Sequence, residues 1–151
     1  SLIMQKYEVN VHDNGNKFWY QNGLLHRLDG PAVDYANGGL AWFQNGLLHR
    51  LDGPAIEYAN GNKLWYQNGL LHRLDGPAIE YANGEQSWYQ NGLLHRLDGP
   101  AVERVDGEQS WFIEGVEYTE VEFNQKINPP KEVTVAELEK ILGYPIKIVK
   151  D

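Results

Sequence analysis

The heptapeptide HRLDGPA occurs four times in this chain, beginning at His26, His49, His72 and His95. Each copy places an imidazole, a guanidinium and a carboxylate within four positions. A His and an Asp in one cleft could provide a general base and the group that orients it, and several copies together could bind a metal ion. The same seven residues could also form the corner of a structural repeat, so three interpretations compete.

Catalysis requires one constellation of side chains in one cleft. The motif instead recurs as four copies, and it contains no Ser or Thr that could act as a nucleophile. A metal site requires ligands that converge to about 2 Å from one ion, whereas successive copies are expected to lie a hairpin width apart, about 10 Å. The sequence therefore predicts a protein that is not an enzyme and has no catalytic residue, metal site or cofactor. An enzyme that combines His and Asp from adjacent units is the alternative.

The Asp75-Gly76-Pro77 segment of the third copy is typical of a turn. Asp can bond its own downstream backbone, Gly permits a positive φ, and Pro fixes φ without donating a hydrogen bond. Because Pro inside a sheet is confined to edges, strand starts and bulges, we expect the segment to kink the chain and begin the next strand. His72 is expected to pack opposite Trp65 and to donate an N–H to a neighbour. Arg73 is expected to reach Glu57 across the strands.

A period of 23 residues organises most of the chain. The unit is close to WYQNGLLHRLDGPAIEYANGNKL, a half unit opens the array, and a decayed unit closes it. Each unit contains two Asn-Gly signals, which predict tight hairpins with type I′ turns, and the flanking residues suit strands. The sequence therefore predicts a mainly β protein, an elongated antiparallel array of β-hairpins with about two strands per unit. The period is marked by Trp19, Trp42, Trp65, Trp88 and Trp111, one set of turns by Asn22-Gly23, Asn45-Gly46, Asn68-Gly69 and Asn91-Gly92, and the other set by Asn14-Gly15, Asn37-Gly38, Asn60-Gly61 and Asn83-Gly84.

Two-residue turns would fix the register of the strands. With such a turn at Asn60-Gly61, Glu57 would face Leu64. One step further along the strands, Ile56 would face Trp65. Strand alternation would then place Trp65, Ile56, His72 and Tyr58 on one face of the sheet. This Trp face is the better candidate for the core, because the Trp never varies within the array.

The opposite face would carry Tyr66, with Leu71 across from it. It would also carry Leu64, between Glu57 and Arg73. The position just before each Trp accepts residues as different as Phe and Ser, so it is expected to be partly exposed. This face is therefore the better candidate for a surface that differs from unit to unit. The residues at the variable position are Phe18, Ala41, Leu64, Ser87 and Ser110.

Two capping boxes predict short helices after the array. Thr119-Glu120-Val121-Glu122 and Thr134-Val135-Ala136-Glu137 each place a Thr at the N-cap position and a Glu three residues later. The first helix is expected to extend through about Ile127, and the second is expected to end at Gly143. The pattern of residues 146–149 predicts a final strand.

These patterns divide the chain into a β-hairpin repeat array at 1–118 and a small C-terminal α+β segment at 119–151. A repeat array needs protected ends, so the second segment is interpreted as a cap. The functional alternative is a small module that recruits a partner.

Composition narrows the classes of partner. The chain has 151 residues, no Cys and a net charge of −8. Without Cys there is no disulfide and no thiolate metal site. The acidic balance argues against nucleic acid, which needs a basic footprint, and against attraction to anionic membranes. No apolar run approaches the ~20 residues that cross a bilayer, and the N-terminus lacks a signal-peptide pattern, so a cytoplasmic location is expected.

The unit resembles MORN repeats in its W-x-x-N-G, its following His and its Y-A-N-G. MORN units carry Gly-x-Gly after the His, where this chain has HRLDGPA. The chain is more similar to the MORN-like proteins of tailed phages and bacteria, in which HRxDGPA units end in W-x-x-x-G-x-E-Y-T-x-x-E-F, here Trp111 to Phe123. The resemblance covers roughly residues 9–123. The resemblance implies an elongated sheet that binds proteins and, in some MORN proteins, membranes. It implies no catalytic residues. A phage origin would suit an inhibitor of a host protein or defence system that acts in the host cytoplasm.

We expect a non-enzymatic, protein-binding repeat protein, because repetition produces a long regular surface suited to a large partner. One alternative is sequestration of a nucleotide-like ligand, in which an aromatic ring stacks beside an Arg. A purely structural scaffold is another. Exposed strand edges would also allow a homodimer. Since Tyr and Arg are favoured at binding hot spots, the predicted partner-binding residues are Tyr20, Phe43, Tyr66, Tyr89 and Phe112 together with Arg27, Arg50, Arg73 and Arg96.

Overall fold

Short strands follow one another along most of the chain, and two helices come after them. The computed structural model of the protein describes residues 6–151. The helices are α1 (Glu120–Ile127) and α2 (Val135–Leu142). The strands are β1 (Glu8–Val11), β2 (Lys17–Gln21), β3 (Leu24–Leu25), β4 (Val33–Asp34), β5 (Leu40–Ala41), β6 (Phe43–Gln44), β7 (Leu47–Leu48), β8 (Ile56–Glu57), β9 (Lys63–Leu64), β10 (Tyr66–Gln67), β11 (Leu70–Leu71), β12 (Ile79–Glu80), β13 (Gln86–Ser87), β14 (Tyr89–Gln90), β15 (Leu93–Leu94), β16 (Val102–Glu103), β17 (Gln109–Ile113) and β18 (Val116–Tyr118). The predicted fold class, mainly β with antiparallel hairpins, is confirmed.

Twelve strands form one long antiparallel sheet in the order β1-β2-β4-β5-β8-β9-β12-β13-β16-β17-β18, with β3 paired to β2. Three hairpins form separate two-stranded sheets: β6–β7, β10–β11 and β14–β15. A complete unit thus contributes two strands to the long sheet and one hairpin beside it. Because neighbouring strands lie about 4.8 Å apart, successive units are displaced by about 10 Å along the array.

A Trp stands at each junction between the long sheet and a hairpin. Trp65 lies between β9 and β10. Its backbone N–H donates to the carbonyl oxygen of Ala78 at 2.7 Å, and its carbonyl oxygen accepts from the N–H of His72 at 3.0 Å. The backbone of this one residue therefore joins the long sheet to the hairpin.

The turn at Asn68-Gly69 has the predicted two-residue geometry. Both residues have a positive φ, 51° for the Asn and 78° for the Gly, as a type I′ turn requires. Tyr66 pairs with Leu71 in the predicted register. Asn tolerates the left-handed region better than other side chains, which explains why it occupies the first position of this turn.

The turn at Asn60-Gly61 is different, and the prediction of a type I′ turn there is wrong. Only Gly61 has a positive φ, 94°. The N–H of Tyr58 donates to the carbonyl oxygen of Asn62, and the N–H of Gly61 donates back to the carbonyl oxygen of Tyr58, both at 2.9 Å. This is the three-residue loop in which Gly forms a G1 bulge. The Oδ1 atom of Asn60 accepts from the N–H of Asn62 at 3.0 Å and stabilises the loop.

The additional loop residue shifts the strand register by one position. Ile56 pairs with Leu64, and Glu57 pairs with Lys63. The predicted pairs of Glu57 with Leu64 and of Ile56 with Trp65 are therefore wrong. Since directly paired residues share a face, Ile56 lies on the same face as Leu64 rather than with the Trp.

A row of alanines is the most buried part of the array. Ile79 and Val33 are also buried, whereas the Trp side chains are half-buried. The prediction that the Trp face holds the core is therefore only partly right, because an arginine rather than a second layer of structure covers four of the tryptophans. The alanines, each 0% exposed, are Ala32, Ala55, Ala78 and Ala101.

The two helices begin at the predicted N-caps. The Oγ1 atoms of Thr119 and Thr134 accept from the N–H three residues later, and Gly143 ends α2 in the left-handed conformation. Phe123 of α1 is buried against the end of the array, where α1 packs on β17 and β18. No residue of α2 is buried, and residues 146–149 form no strand. The prediction of a final strand is wrong, since a strand needs a hydrogen-bonded neighbour and the segment has none.

Candidate binding surfaces

The HRLDGPA motif forms a corner that its own Arg holds together. In the third copy, Nε of Arg73 donates to Asp75 at 3.0 Å, and Nη1 donates to the carbonyl oxygen of Pro77 at 3.0 Å. The guanidinium lies 3.9 Å from the centroid of the Trp65 ring, in cation–π contact. The other three copies repeat these contacts through Arg27, Arg50 and Arg96.

The Gly of the motif serves close packing rather than a positive φ. Gly76 is absent from the residues with positive φ, contrary to the prediction. A Cβ at this position would lie 2.9 Å from Cζ of Arg73. The guanidinium therefore occupies the space that any side chain at Gly76 would need.

The Arg of the second, third and fourth corners also meets a Glu seven residues later in the chain. Nη1 of Arg73 lies 3.1 Å from Glu80, and Nη1 of Arg50 lies 3.5 Å from Glu57. The prediction that Arg73 pairs with Glu57 is wrong, because the corner leads directly into the strand that carries the Glu seven residues later. This pairing places the arginines on the Trp side of the sheet.

The His of the motif links one unit to the next. Nδ1 of His72 accepts from the N–H of Asn91 at 3.0 Å. The same contact joins His26 to Asn45, His49 to Asn68 and His95 to Glu114. The other ring nitrogen of His72 is left to carry the N–H whose donation stays a prediction. Within residues 6–151, no group of three or more His, Cys, Asp or Glu side chains is placed to hold a metal ion.

We name the side that carries the stacked Trp and Arg residues the arginine face. Three depressions of about 610, 520 and 540 Å³ lie on it, each between two successive corners. The arginines are largely covered, since the Arg73 side chain is 21% exposed whereas the Asp75 side chain is 87% exposed. A partner on this face would therefore meet Asp carboxylates and the exposed Leu74 before it met a guanidinium.

The aromatic residues predicted to bind a partner lie on the other side. Tyr66 alternates with Trp65 and Gln67, which line a depression of the arginine face. We name the opposite side the aromatic face, and its half-buried ring row is Tyr20, Phe43, Tyr66, Tyr89 and Phe112. The structure thus brings the five predicted aromatic residues together but leaves the four predicted arginines on the other side of the sheet.

A second row of tyrosines lies on the aromatic face. The prediction that Tyr58 shares the face of Trp65 is wrong, because the strand register is shifted by one position. Tyr35, Tyr58 and Tyr81 are 41%, 50% and 41% exposed. Burial raises the pKa of the Tyr66 hydroxyl above its usual 10.0, and the hydroxyls of Tyr58, Tyr89 and Tyr81 add to the rise. Burial raises the pKa of Tyr89 in the same way, with Tyr81 adding to it. The two rows adjoin in space, since Tyr35 and Tyr58 of one row and Phe43 of the other line the same hollow. The signal in the sequence was the recurring Tyr of YANG.

An apolar hollow of about 260 Å³ opens on the aromatic face in the second unit. Ala41 lies at its floor, and Tyr35 and Tyr58 border it. Sequence reasoning noted that the position before each Trp varies but did not connect Ala41 with a cavity.

No protein-family model matches this sequence, and no curated protein matches it either. Within the described residues, no helix is long and apolar enough to cross a membrane.

Proposed function

We propose that this chain is a MORN-like repeat protein that binds another protein through its aromatic face and has no catalytic activity. The observation that carries the proposal is the row of half-buried rings, one per unit, with a second row of exposed tyrosines beside it. Tyr provides a large, rigid contact area at low cost in conformational entropy, and it is enriched at hot spots.

The geometry of the row suits a protein-sized partner. Five rings displaced by about 10 Å each span about 40 Å. A standard interface takes about 800 Å² from each partner, which corresponds to a patch about 30 Å across. The aromatic face is therefore long enough to fill one such interface.

The arginine face is the weaker candidate for the same partner. Each corner guanidinium already stacks on a Trp and bonds to an Asp and to a Pro carbonyl oxygen. A partner that recruited Arg73 would have to break those contacts first. We therefore assign the five aromatic residues, and not the four arginines, to the proposed binding site.

The net charge of −8 favours a basic protein partner through electrostatic steering. It disfavours nucleic acid and anionic membranes. The resemblance to phage proteins extends the proposal to an inhibitor of a host protein or defence system that acts in the host cytoplasm. Strand β1 is exposed at one end of the sheet. The proposal therefore includes a homodimer in which two copies of the chain pair through this edge.

The test is retention of a protein from a bacterial host lysate on the immobilised chain, followed by mass spectrometry. The aromatic face is disrupted by combining Tyr58→Arg and Tyr81→Arg, since the array already carries Arg104 at the equivalent position. Leu74→Ser on the arginine face is the control, because Leu74 is 75% exposed. We expect a stoichiometric protein on the wild type and the control, and its loss from the double variant. If the wild type retains no protein, the proposal fails.

A nucleotide-like ligand is the second candidate, and the depressions of the arginine face favour it. They measure 520 to 610 Å³, within the range of small-molecule sites, and each contains a Trp, a His and two Arg residues. Denaturing the purified protein and analysing the supernatant by mass spectrometry tests this candidate. A nucleotide released in proportion to the protein would favour it over the protein partner.

A further inference from the structure

Among the cavities described above, one opens on the aromatic face, and it lies in the second unit. Its volume is about 260 Å³, and apolar side chains form most of its wall. Ala41 is 5% exposed at the floor, so the base of the hollow is shielded from solvent. Phe43, Leu48 and Ile56 also line the hollow, and Tyr35 and Tyr58 stand at its border.

The hollow exists because two positions of the second unit carry small residues, Ala41 and Gly39. In the fourth unit and the closing unit a Ser stands at the position of Ala41, but a Glu stands at the position of Gly39. Ala41 occupies the position that Phe18 fills in the first unit and Leu64 fills in the third. Ile56 shows the contrast directly, since it pairs with Ala41 on one side and with Leu64 on the other. In the first unit, the Phe18 ring packs edge-on against Tyr35, with 6.3 Å between ring centroids. The space at Ala41 is thus the size of a Leu or Phe side chain.

Size and chemistry together define what could enter. Small-molecule sites typically measure about 300 to 1,000 Å³, so a hollow of about 260 Å³ is too small for a nucleotide. Its wall is apolar apart from Asn37 and Glu57. Asn37 already accepts from the N–H of Gly39 and Glu57 already pairs with Arg50, so a charged group would have to compete for its partner. One aliphatic or aromatic side chain satisfies both limits. Protein interfaces concentrate their binding energy where such an anchor fills a desolvated pocket.

We propose that the hollow at Ala41 receives one apolar side chain, of the size of Leu or Phe, from the protein partner. This proposal rests on the proposed function, because Phe43 and Tyr58 belong at once to the hollow and to the aromatic face. The hollow fixes the register of the partner on an otherwise periodic surface. Without it, binding displaced by one unit, about 10 Å, would meet nearly the same row of rings.

The first arm of the test uses toluene, the side-chain analogue of Phe, and NMR signals of the Leu48 and Ile56 methyl groups. We expect saturable shifts in the wild type and their loss in Ala41→Leu. This variant reproduces the environment of Leu64, so it is expected to fold. Absent shifts, or shifts that survive in Ala41→Leu, would overturn the proposal.

The second arm uses the protein partner retained through the aromatic face. Ala41→Leu should weaken its binding at least tenfold, whereas Ser87→Ala, the control at the same position of the fourth unit, should leave binding unchanged. If Ala41→Leu binds like the wild type while the Tyr58→Arg and Tyr81→Arg double variant does not, the proposed function stands and the hollow is excluded as the anchor site. If no protein is retained at all, the proposed function fails, and the toluene arm alone decides whether the hollow takes an apolar group.

Discussion

The Nδ1 atom of His72 accepts a hydrogen bond from the backbone N–H of Asn91 at 3.0 Å, so each unit fixes the turn of the next. The N–H of Arg73 donates to the carbonyl oxygen of Tyr89 in the same neighbouring hairpin at 3.1 Å. His and Arg of HRLDGPA thus connect successive hairpins, while Arg and Asp close the corner within the unit. The fourfold repetition of a His, an Arg and an Asp is explained by architecture.

Replacing His72 with Leu removes the acceptor for the Asn91 N–H. A hydrogen bond of this kind contributes about 1 kcal/mol to the free energy of unfolding, so His72→Leu should lower the midpoint of urea unfolding. His12→Leu is the control, because the His12 ring contacts only Phe18 among the aromatic rings of the described chain. Equal midpoints for the two variants would contradict the linking role of His72.

Replacing Arg73 with Lys keeps the charge and removes the planar fork. A Lys ammonium cannot bond to Asp75 and to the Pro77 carbonyl oxygen while it also stacks on Trp65. We expect Arg73→Lys to reduce the free energy of unfolding by about 1–2 kcal/mol, from the lost stacking and hydrogen bonding. The control is Arg104→Lys, since Arg104 is exposed and its guanidinium donates through Nη1 to the Ser110 hydroxyl. Chemical denaturation that gives the same loss for both would exclude the corner interpretation.

The two Asn-Gly turns should respond differently to the same substitution. Asn68 has a positive φ, which Gly adopts freely, so Asn68→Gly should change the free energy of unfolding by less than ~0.5 kcal/mol. Asn60 instead contributes a side-chain hydrogen bond to the N–H of Asn62, so Asn60→Gly should cost about 1 kcal/mol. Urea unfolding of both variants measures the difference. An effect of the same size at both sites would mean that the turns are alike.

Alkaline pH should lower the free energy of unfolding, because two tyrosines of the aromatic face lose their protons. The pKa of Tyr66 and of Tyr89 is raised above the usual 10.0 in the folded protein, so the folded state holds these protons more tightly than the unfolded chain does. Their contribution is therefore fully present below pH 10.0 and is lost as the pH rises through the raised values. Urea midpoints measured across this range should fall.

The matched variant for the pH prediction is Tyr66→Phe combined with Tyr89→Phe, since Phe43 and Phe112 already occupy this position in other units. The double variant should lose less stability than the wild type over the same pH interval, because it lacks the two hydroxyls that titrate. A fall that is equally steep in both proteins would show that other groups cause the alkaline loss.

Much of the fold could be predicted from residues that are close together in the sequence. The 23-residue period, the type I′ turn at Asn68-Gly69 and the N-caps at Thr119 and Thr134 all depend on local backbone geometry. The turn at Asn60-Gly61 was mispredicted because the same dipeptide suits both a two-residue and a three-residue hairpin loop. That difference of one residue moved Ile56 to the face of Leu64.

The candidate site was predicted less well, because it depends on which strands come together. The five ring positions lie in a row as expected. The arginines were assigned to the same side because the Asn68-Gly69 hairpin was extended as far as Arg73, whose N–H instead donates to Tyr89 of the next hairpin. The contact between Arg50 and Glu57 and the stacking of Arg73 on Trp65 both require the corner to fold back over the sheet. No local pattern encodes that path.

The sequence by itself determined that this protein is a repeat of antiparallel hairpins with two capped helices after it, because turns and caps follow from residue types a few positions apart. Only the tertiary structure decided that the arginines cover the tryptophans, that the rings form a separate face, and that Ala41 leaves a hollow between Tyr35 and Tyr58. Each of these features is formed by side chains from strands that are neighbours in space, and a cavity exists only once its walls are assembled.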